Sequence, residues 1–313
     1  MRYVLKKTCA MLVTLFIVTV LAFLAFQIIP GDPTTKMLGT EYTPELAEAL
    51  RAELGLDRNV FVRYFDWLLD FLRGDFGISY SYGTPVSELL AGKITITAFL
   101  SLIAFIMTIV ISLSLGLLLA GYEGTAVDRV FTVLNQITMS IPPFFIGIIF
   151  TSVFGLFFKL FVVGEFINID ESFWGFIRYL IFPALAIALP KSAMTIKLLR
   201  SSIRTEMHQD YVRTAYSRGN SRRSTLHNHI FRNSLIPVIT FLATIISDIV
   251  VGSIIIEQVF SIPGLGRMLL LSISGHDYPV VQAIIVMIAA LVVIVHFLAD
   301  VIYQFIDPRI RLE

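Results

Sequence analysis

Four long stretches of this chain contain no Asp, Glu, Lys or Arg, and they constrain its fold more than any other feature. They cover residues 10–29, 94–122, 130–158 and 278–299. A helix of about 20 apolar residues is long enough to cross the hydrocarbon core of a bilayer. Each stretch can therefore form a transmembrane helix.

Two more stretches fit a membrane span, although each contains one charge. Residues 179–196 include Lys191, and residues 233–256 include Asp248. Backbone polar groups have no water partners in lipid, so a spanning segment must satisfy them internally. We therefore predict an all-α membrane protein with six transmembrane helices. The composition agrees, because 56% of the residues are hydrophobic, against about 45–50% in soluble domains.

A basic segment separates the fourth and fifth predicted spans. Its eight cationic residues are Lys197, Arg200, Arg204, Arg213, Arg218, Arg222, Arg223 and Arg232. Only two acids, Glu206 and Asp210, oppose them. Positively charged loops are retained in the cytoplasm when membrane proteins insert. The segment is thus predicted to be cytoplasmic, and with six spans both termini lie on the same side.

The predicted spans divide the chain into four segments. These are an N-terminal transmembrane helix (1–30), an extracytoplasmic cap (31–92), a core of five transmembrane helices (93–306) that includes a cytoplasmic loop at 201–232, and a cytoplasmic tail (307–313). The first helix is predicted to stay uncleaved, because its apolar run exceeds the about 7–15 residues of a signal peptide. The cap is too long for a simple loop, and we expect short helices at 44–54 and 61–72.

The six predicted spans have the following expected limits, of which the first ends at the Ile29-Pro30-Gly31-Asp32-Pro33 motif. The expected ranges are 9–29, 94–121, 130–162, 178–199, 233–256 and 278–304. Pro142 and Pro143 should interrupt the third span, because proline removes a backbone N–H and clashes with the preceding turn. Residues 257–277 are expected to form an irregular, re-entrant loop on the outer side, with His276 and Asp277 starting the sixth helix.

Seven motifs, in order along the chain, resemble those of one protein family. They are Ile29-Pro30-Gly31-Asp32-Pro33; Leu54-Gly55-Leu56-Asp57; Gly74-Asp75-Phe76-Gly77 with Ser79 and Pro85-Val86; Asp210 to Gly219 with His229 and Arg232-Asn233; Ile256-Glu257 to Phe260 with Pro263-Gly264-Leu265-Gly266; Asp277-Tyr278-Pro279-Val280; and Asp307-Pro308-Arg309. Together they resemble ABC-importer permeases of the dipeptide, oligopeptide and nickel type. The chain departs from the general Glu-Ala-Ala pattern of the family, since Arg213-Thr214-Ala215 stands there.

The resemblance implies partners and a division of labour. A second, related permease would complete a heterodimer in a prokaryotic cell membrane. Two cytoplasmic ATPase subunits would bind ATP and Mg, and an extracytoplasmic solute-binding protein would deliver the cargo. This chain itself would bind no cofactor and no nucleic acid, and it would be surrounded by membrane lipid. The cargo implied by the resemblance is a di- or oligopeptide, and the alternative is nickel or a metal chelate such as an opine complex.

The same resemblance assigns ATPase coupling to the basic segment. The residues expected to contact the ATPases are Glu206, Asp210, Tyr211, Arg213, Ala215, Arg218, Gly219 and Arg222. A short helix lying on the membrane surface can enter a groove of a soluble partner, and Gly219 allows the chain to turn afterwards, since glycine tolerates positive φ. The alternative is that these arginines only fix topology and bind anionic lipid heads.

A second group of residues is expected to line the translocation path or its gate. It comprises Asp248, Phe144, Phe145, Glu257, Pro263 and Gly264. A charge inside a membrane by default faces the bundle interior or a cavity, so Asp248 could attract a cationic solute or a peptide amino terminus. The alternatives are that Asp248 pairs with Lys191 or with a partner subunit, or that it lies nearer the membrane interface. His296 is expected to be hydrogen-bonded within the bundle rather than to bind metal.

Several functional classes are disfavoured by what the sequence omits. It contains no Walker-type phosphate-binding motif, no HExxH or GxSxG motif, and a single cysteine, Cys9. We therefore predict that the chain is not an enzyme and holds no metal. A secondary transporter or channel is the more distant alternative, but the internal repeats typical of such carriers are not evident.

Overall fold

The computed structural model of the protein describes residues 2–28, 33–53 and 55–306, most of which are helical. The first eight helices are α1 (Arg2–Ile28), α2 (Pro33–Leu38), α3 (Pro44–Glu53), α4 (Val60–Leu72), α5 (Val86–Leu90), α6 (Lys93–Gly121), α7 (Ala126–Ser140) and α8 (Pro143–Phe150). They are followed by α9 (Phe173–Met207), α10 (Asp210–Ser217), α11 (Arg222–Thr225), α12 (Phe231–Val259), α13 (Leu265–Gly275) and α14 (Tyr278–Ile306). A 3₁₀ turn (Gly39–Glu41) follows α2, and π-helical stretches extend α8 (Thr151–Phe157) and precede α12 (Leu226–Ile230).

The prediction of an all-α membrane protein is confirmed. Five helical segments are long and apolar enough to cross a membrane, and they lie in α1, α6, α9, α12 and α14. Within the described ranges there is no strand, and the β structure is one isolated bridge between Ile78 and Pro85. Five of the six predicted spans are thus continuous helices.

The third predicted span is not one helix. Helix α7 and the pair formed by α8 and its π extension meet at 99°. Ile141 and Pro142 are extended between them, because a residue that precedes a proline avoids the helical region. The predicted interruption at Pro142-Pro143 is confirmed, but the expected end at residue 162 was wrong. The helix ends at Phe157, and Lys159 has a φ of +53°.

The chain divides into two compact units, of which the first comprises Met1–Thr97 and Pro263–Ile294. The predicted cap helices are present as α3 and α4. Helix α4 packs on α1, where the Tyr64 and Thr19 hydroxyls lie 2.9 Å apart and the Phe23 ring meets Tyr64 edge to face. Elsewhere in this unit, the buried Asp277 carboxylate accepts hydrogen bonds from the backbone N–H groups of Tyr80 (3.0 Å) and Ser81 (3.2 Å).

The second unit comprises Ala98–Ile262 and Val295–Glu313 and is built around α9. Helices α7, α8 and α12 all pack against α9. The Asn135 side chain on α7 donates a hydrogen bond to the Ala193 carbonyl on α9 at 2.9 Å. With 35 residues, α9 is about 52 Å long at 1.5 Å per residue. Since the hydrocarbon core is only about 30 Å thick, part of α9 must extend beyond it.

Three further expectations required correction. The fourth span was expected at 178–199, but α9 begins at Phe173, where the Ser172 side chain caps it, and continues to Met207. The outer loop expected at 257–277 contains the 11-residue helix α13. His276 does not begin a helix, because it ends α13 with a φ of +52°. The motif at 29–32, residue 54 and the tail at 307–313 lie outside the described residues.

Candidate coupling surface and membrane path

The predicted coupling helix is α10, which is eight residues long. Helix α9 ends at Met207, and the extended Gln209 precedes a new helix that begins at Asp210. A negative charge in the first turn interacts favourably with the helix dipole. After Ser217 the chain turns at Gly219, whose φ is +80°. This confirms the positive φ that the sequence predicts at Gly219.

One side of α10 packs into the second unit. Val212 and Ala215 are buried, and Val212 belongs to a core cluster with residues of α6, α9 and α12, namely Ala120, Leu199, Ile203, Val238 and Leu242, together with Leu226 and Ile230. Tyr211 packs against the same cluster. The buried side of α10 therefore packs in one cluster with three helices that contain segments long enough to span a membrane.

Tyr211 also connects α10 to the end of α9. Its hydroxyl donates a hydrogen bond to a Glu206 carboxylate oxygen at 2.6 Å. Burial, followed by the hydrogen bond to Glu206, raises the pKa of Tyr211 to about 12, with the Asn233 side chain acting in the opposite direction. The hydroxyl therefore stays protonated at neutral pH and remains a donor to Glu206.

The other side of α10 is charged and open. The side chains of Asp210 and Arg213 are 97% and 83% exposed and stand 3.9 Å apart, and Arg218 is exposed as well. The Arg222 side chain lies outside the described residues. An exposed ion pair of this kind contributes little to stability, so these charges are available to a partner. The predicted coupling residues thus separate into an anchored group (Glu206, Tyr211, Ala215) and an open group (Asp210, Arg213, Arg218).

Two ion pairs near this surface were missed at the sequence level. Arg200 on α9 pairs with the buried Asp128 at the start of α7, and Arg204 binds Glu123 at 2.8 Å. Arg200 also donates to the Thr132 hydroxyl at 2.9 Å. Arginines four residues apart on a helix share one face, and this spacing was the sequence feature that could have indicated the two ion pairs. The acidic partners, 72 and 81 residues away, could not be identified from spacing.

Substitution of Gly219 should loosen the turn after α10. An alanine there would hold a left-handed backbone at a cost of about 1–2 kcal/mol, although its Cβ would meet nothing within 4 Å. We expect Gly219→Ala to raise the rate of tryptic cleavage at Arg213 and Arg218 by about five- to thirty-fold. Gly219→Asn should be cleaved more slowly than the alanine variant, because asparagine tolerates this conformation.

Gly121→Ala is the matched control for the Gly219 substitution. Gly121 also has open space around it, but its φ is not positive. Its replacement should therefore leave cleavage unchanged. Cleavage of Gly219→Ala at the wild-type rate would contradict a strained turn.

In the membrane-spanning part, Asp248 is paired. Its carboxylate accepts a hydrogen bond from the Lys191 ammonium at 2.6 Å, which joins α12 to α9. The pairing that the sequence analysis left as an alternative is therefore present, whereas contact with a cargo stays a prediction. His296 lies 3.0 Å from the Ser247 hydroxyl, which confirms a hydrogen bond within the bundle.

The other predicted path residues differ in exposure. Phe144 and Phe145 at the start of α8 are both exposed. Glu257 is fully buried near the end of α12. Gly264 is buried, caps α13 and follows the half-buried Pro263. Among the described residues, no group of three or more His, Cys, Asp or Glu residues could hold a metal ion.

Comparison with known proteins gives matches along almost the whole chain. The sequence model described as the inner membrane component of binding-protein-dependent transport systems matches residues 112–312, and a model for the N-terminal part of such components matches residues 1–101. The oligopeptide transport system permease protein AppB of Bacillus subtilis (strain 168) is 34% identical over 312 residues, which are 99% of each chain. The glutathione transport system permease protein GsiC of Escherichia coli (strain K12) is 30% identical over 311 residues, again 99% of each chain.

Proposed function

This chain belongs to the inner membrane components of binding-protein-dependent transport systems, the ABC-importer permeases, and from that membership we propose that it carries peptides across the membrane. It is a permease subunit and not itself the ATPase. The two relatives described above are named for oligopeptides and for glutathione, itself a short peptide. Their names favour a peptide over nickel or a metal chelate as the cargo.

The two-sided packing of α10 is the observation that carries the coupling proposal. Its buried side joins a core made by three membrane-length helices, while Arg213 and Asp210 face outward. We propose that a cytoplasmic ATPase binds the outward side. Closure of two ATP-loaded subunits would then displace α10, and the core cluster would pass the displacement to α6, α9 and α12.

The remaining partners follow from the family. A second permease would supply the other half of the path, and an extracytoplasmic binding protein would deliver peptide to the outer side. ATP and Mg would bind on the ATPases. Both termini would lie in the cytoplasm of a prokaryotic cell, because this orientation places the basic segment inside, as retained positive loops require.

We further propose that Asp248, Phe144 and Phe145 line the path. Asp248 is more than half exposed, and exposed aromatic side chains can contact apolar parts of a peptide. The burial of Glu257 suits a role in holding the end of α12 near the outer gate. Pro263 and Gly264, where the backbone leaves the helix before α13, are proposed as part of that gate.

Uptake of labelled cargo tests the proposed function. Deletion of the gene for this chain should abolish uptake of a labelled dipeptide and leave uptake of labelled nickel unchanged. Expression of the full chain in the deletion strain should restore dipeptide uptake. Loss of nickel uptake alone would move the assignment to a metal importer, and unchanged uptake of both would contradict either assignment.

A further inference from the structure

The Lys191–Asp248 ion pair is unevenly exposed. The two residues lie within the predicted fourth and fifth spans, on α9 and α12, and their charged atoms are 2.6 Å apart. The Lys191 side chain is only 17% exposed, whereas the Asp248 side chain is 60% exposed. One partner is therefore held within the helix bundle, while the other presents its carboxylate to the surroundings.

The exposed residues of α12 around Asp248 are three or four positions apart, so they lie on one face of the helix. Thr244, Val251 and Ile255 are exposed at positions four residues before and three and seven residues after Asp248. A carboxylate within a span is costly against lipid and faces protein or a water-filled cavity instead. We therefore expect this face of α12 to border protein or a water-filled cavity rather than lipid.

Both charged groups have unused hydrogen-bonding capacity. In the part of the chain that the structure describes, the Lys191 and Asp248 side chains form one hydrogen bond, which joins them to each other. A carboxylate can accept about four hydrogen bonds, and an ammonium group can donate three. Each group can thus take a second ionic partner, and the flexible stem of Lys191 allows its ammonium to move.

We propose that Lys191 and Asp248 form a transit site for the two free termini of a short peptide. The peptide ammonium pairs with Asp248, and the peptide carboxylate pairs with Lys191. Two ion pairs replace one, and no charge is left unpaired in the membrane, where an unpaired charge is strongly unfavourable. The proposal rests on the proposed function and adds to it a preference for zwitterionic cargo.

A purely structural ion pair between α9 and α12 is the competing explanation, and variants that remove both charges separate the two. Lys191→Gln combined with Asp248→Asn leaves no unpaired charge. Lys191→Met combined with Asp248→Leu is a second variant, which keeps the span apolar and should insert even if the first does not. Arg58→Gln combined with Asp66→Asn is the matched control. The charged atoms of that pair are 3.7 Å apart, and both side chains are exposed.

The experiment compares uptake with ATP hydrolysis in the complete transporter. Cells that carry each variant are assayed for uptake of a labelled dipeptide with free termini. Their membranes are assayed for the amount of the chain and for ATPase activity stimulated by the binding protein. We expect dipeptide uptake to fall at least tenfold in both double variants. Membrane amount and stimulated ATPase activity should stay within twofold of wild type, and the control should match wild type.

Every other outcome overturns the proposal. Unchanged uptake in the double variants would show that the pair contacts no cargo. A parallel loss of uptake and ATPase activity, or failure of both variants to accumulate, would show that the pair serves folding or coupling. If deletion of the whole chain does not reduce dipeptide uptake, the proposed function itself is wrong, a result that the deletion strain reveals separately.

Discussion

Replacement of Asp128 with alanine is expected to cost about 3–5 kcal/mol of folding free energy, the range for removing one partner of a buried ion pair. Asp128 is buried, and the paired Arg200 side chain is only 16% exposed. Asp128 also accepts a hydrogen bond from the Gly124 backbone N–H at 3.0 Å, which shapes the turn between α6 and α7. Without the carboxylate, Arg200 keeps its bond to Thr132 but loses its counter-charge.

The measurement is the thermal unfolding midpoint of the solubilised chain, together with its amount in the membrane. Asp70→Ala is the control. The Asp70 carboxylate and the Arg73 guanidinium are 3.6 Å apart, and both side chains are exposed. An exposed pair contributes about 0–1 kcal/mol, so this variant should stay near wild type. Equal effects of Asp128→Ala and Asp70→Ala would contradict a buried, structurally important pair.

Replacement of both partners tests whether the cost comes from the unpaired charge. Asp128→Ala combined with Arg200→Met should be less destabilising than Asp128→Ala alone, because the double variant buries no uncompensated guanidinium. If the double variant lost as much folding free energy as Asp128→Ala and Arg200→Met lose separately, added together, the two side chains would contribute independently.

Asp277→Ala should have the second largest effect, confined to the first unit. The carboxylate is fully buried and accepts from the Ser79 hydroxyl and from two backbone N–H groups. An unsatisfied buried donor costs about 1–3 kcal/mol, and the Ser79 hydroxyl is fully buried, so loss of the carboxylate should release the segment around Tyr80. Limited proteolysis of intact membranes should then cut near Tyr80 and Tyr82 much faster than in wild type.

Asp75→Ala provides the comparison for Asp277. Its exposed carboxylate caps the Gly77 N–H at 2.9 Å, close in sequence to the same segment. Because water can replace that contact, we expect little change in cleavage. Cleavage of Asp277→Ala at the rate of the Asp75 variant would show that the buried carboxylate does not hold the segment.

The features that sequence predicted well are those with local causes. Uncharged stretches predicted the helices, Pro142-Pro143 predicted a break, and Gly219 predicted a left-handed turn. Each depends on residues within a few positions. The 99° bend was not predictable, because prolines mark where a helix is interrupted and not the angle at which it resumes.

The features that sequence did not predict depend on distant partners. Asp128 and Arg200 are 72 residues apart, and nothing in the local pattern around Asp128 indicates that it is buried. The pairing of Lys191 with Asp248 was only one of several alternatives. Helix α13 was missed for a local reason instead, because Pro263 and Gly264 indicated an irregular loop although they only mark where the helix begins.

One unbroken helix carries both Lys191 and Glu206. The two residues are 15 positions apart on α9, which corresponds to about 22 Å along the axis. The proposed peptide site and the anchor of α10 consequently belong to one element, and a shift of α9 on binding at either end would link the two ends energetically. Such energetic linkage is reciprocal. The factor by which nucleotide binding alters the transporter's affinity for peptide must equal the factor by which peptide alters its affinity for nucleotide.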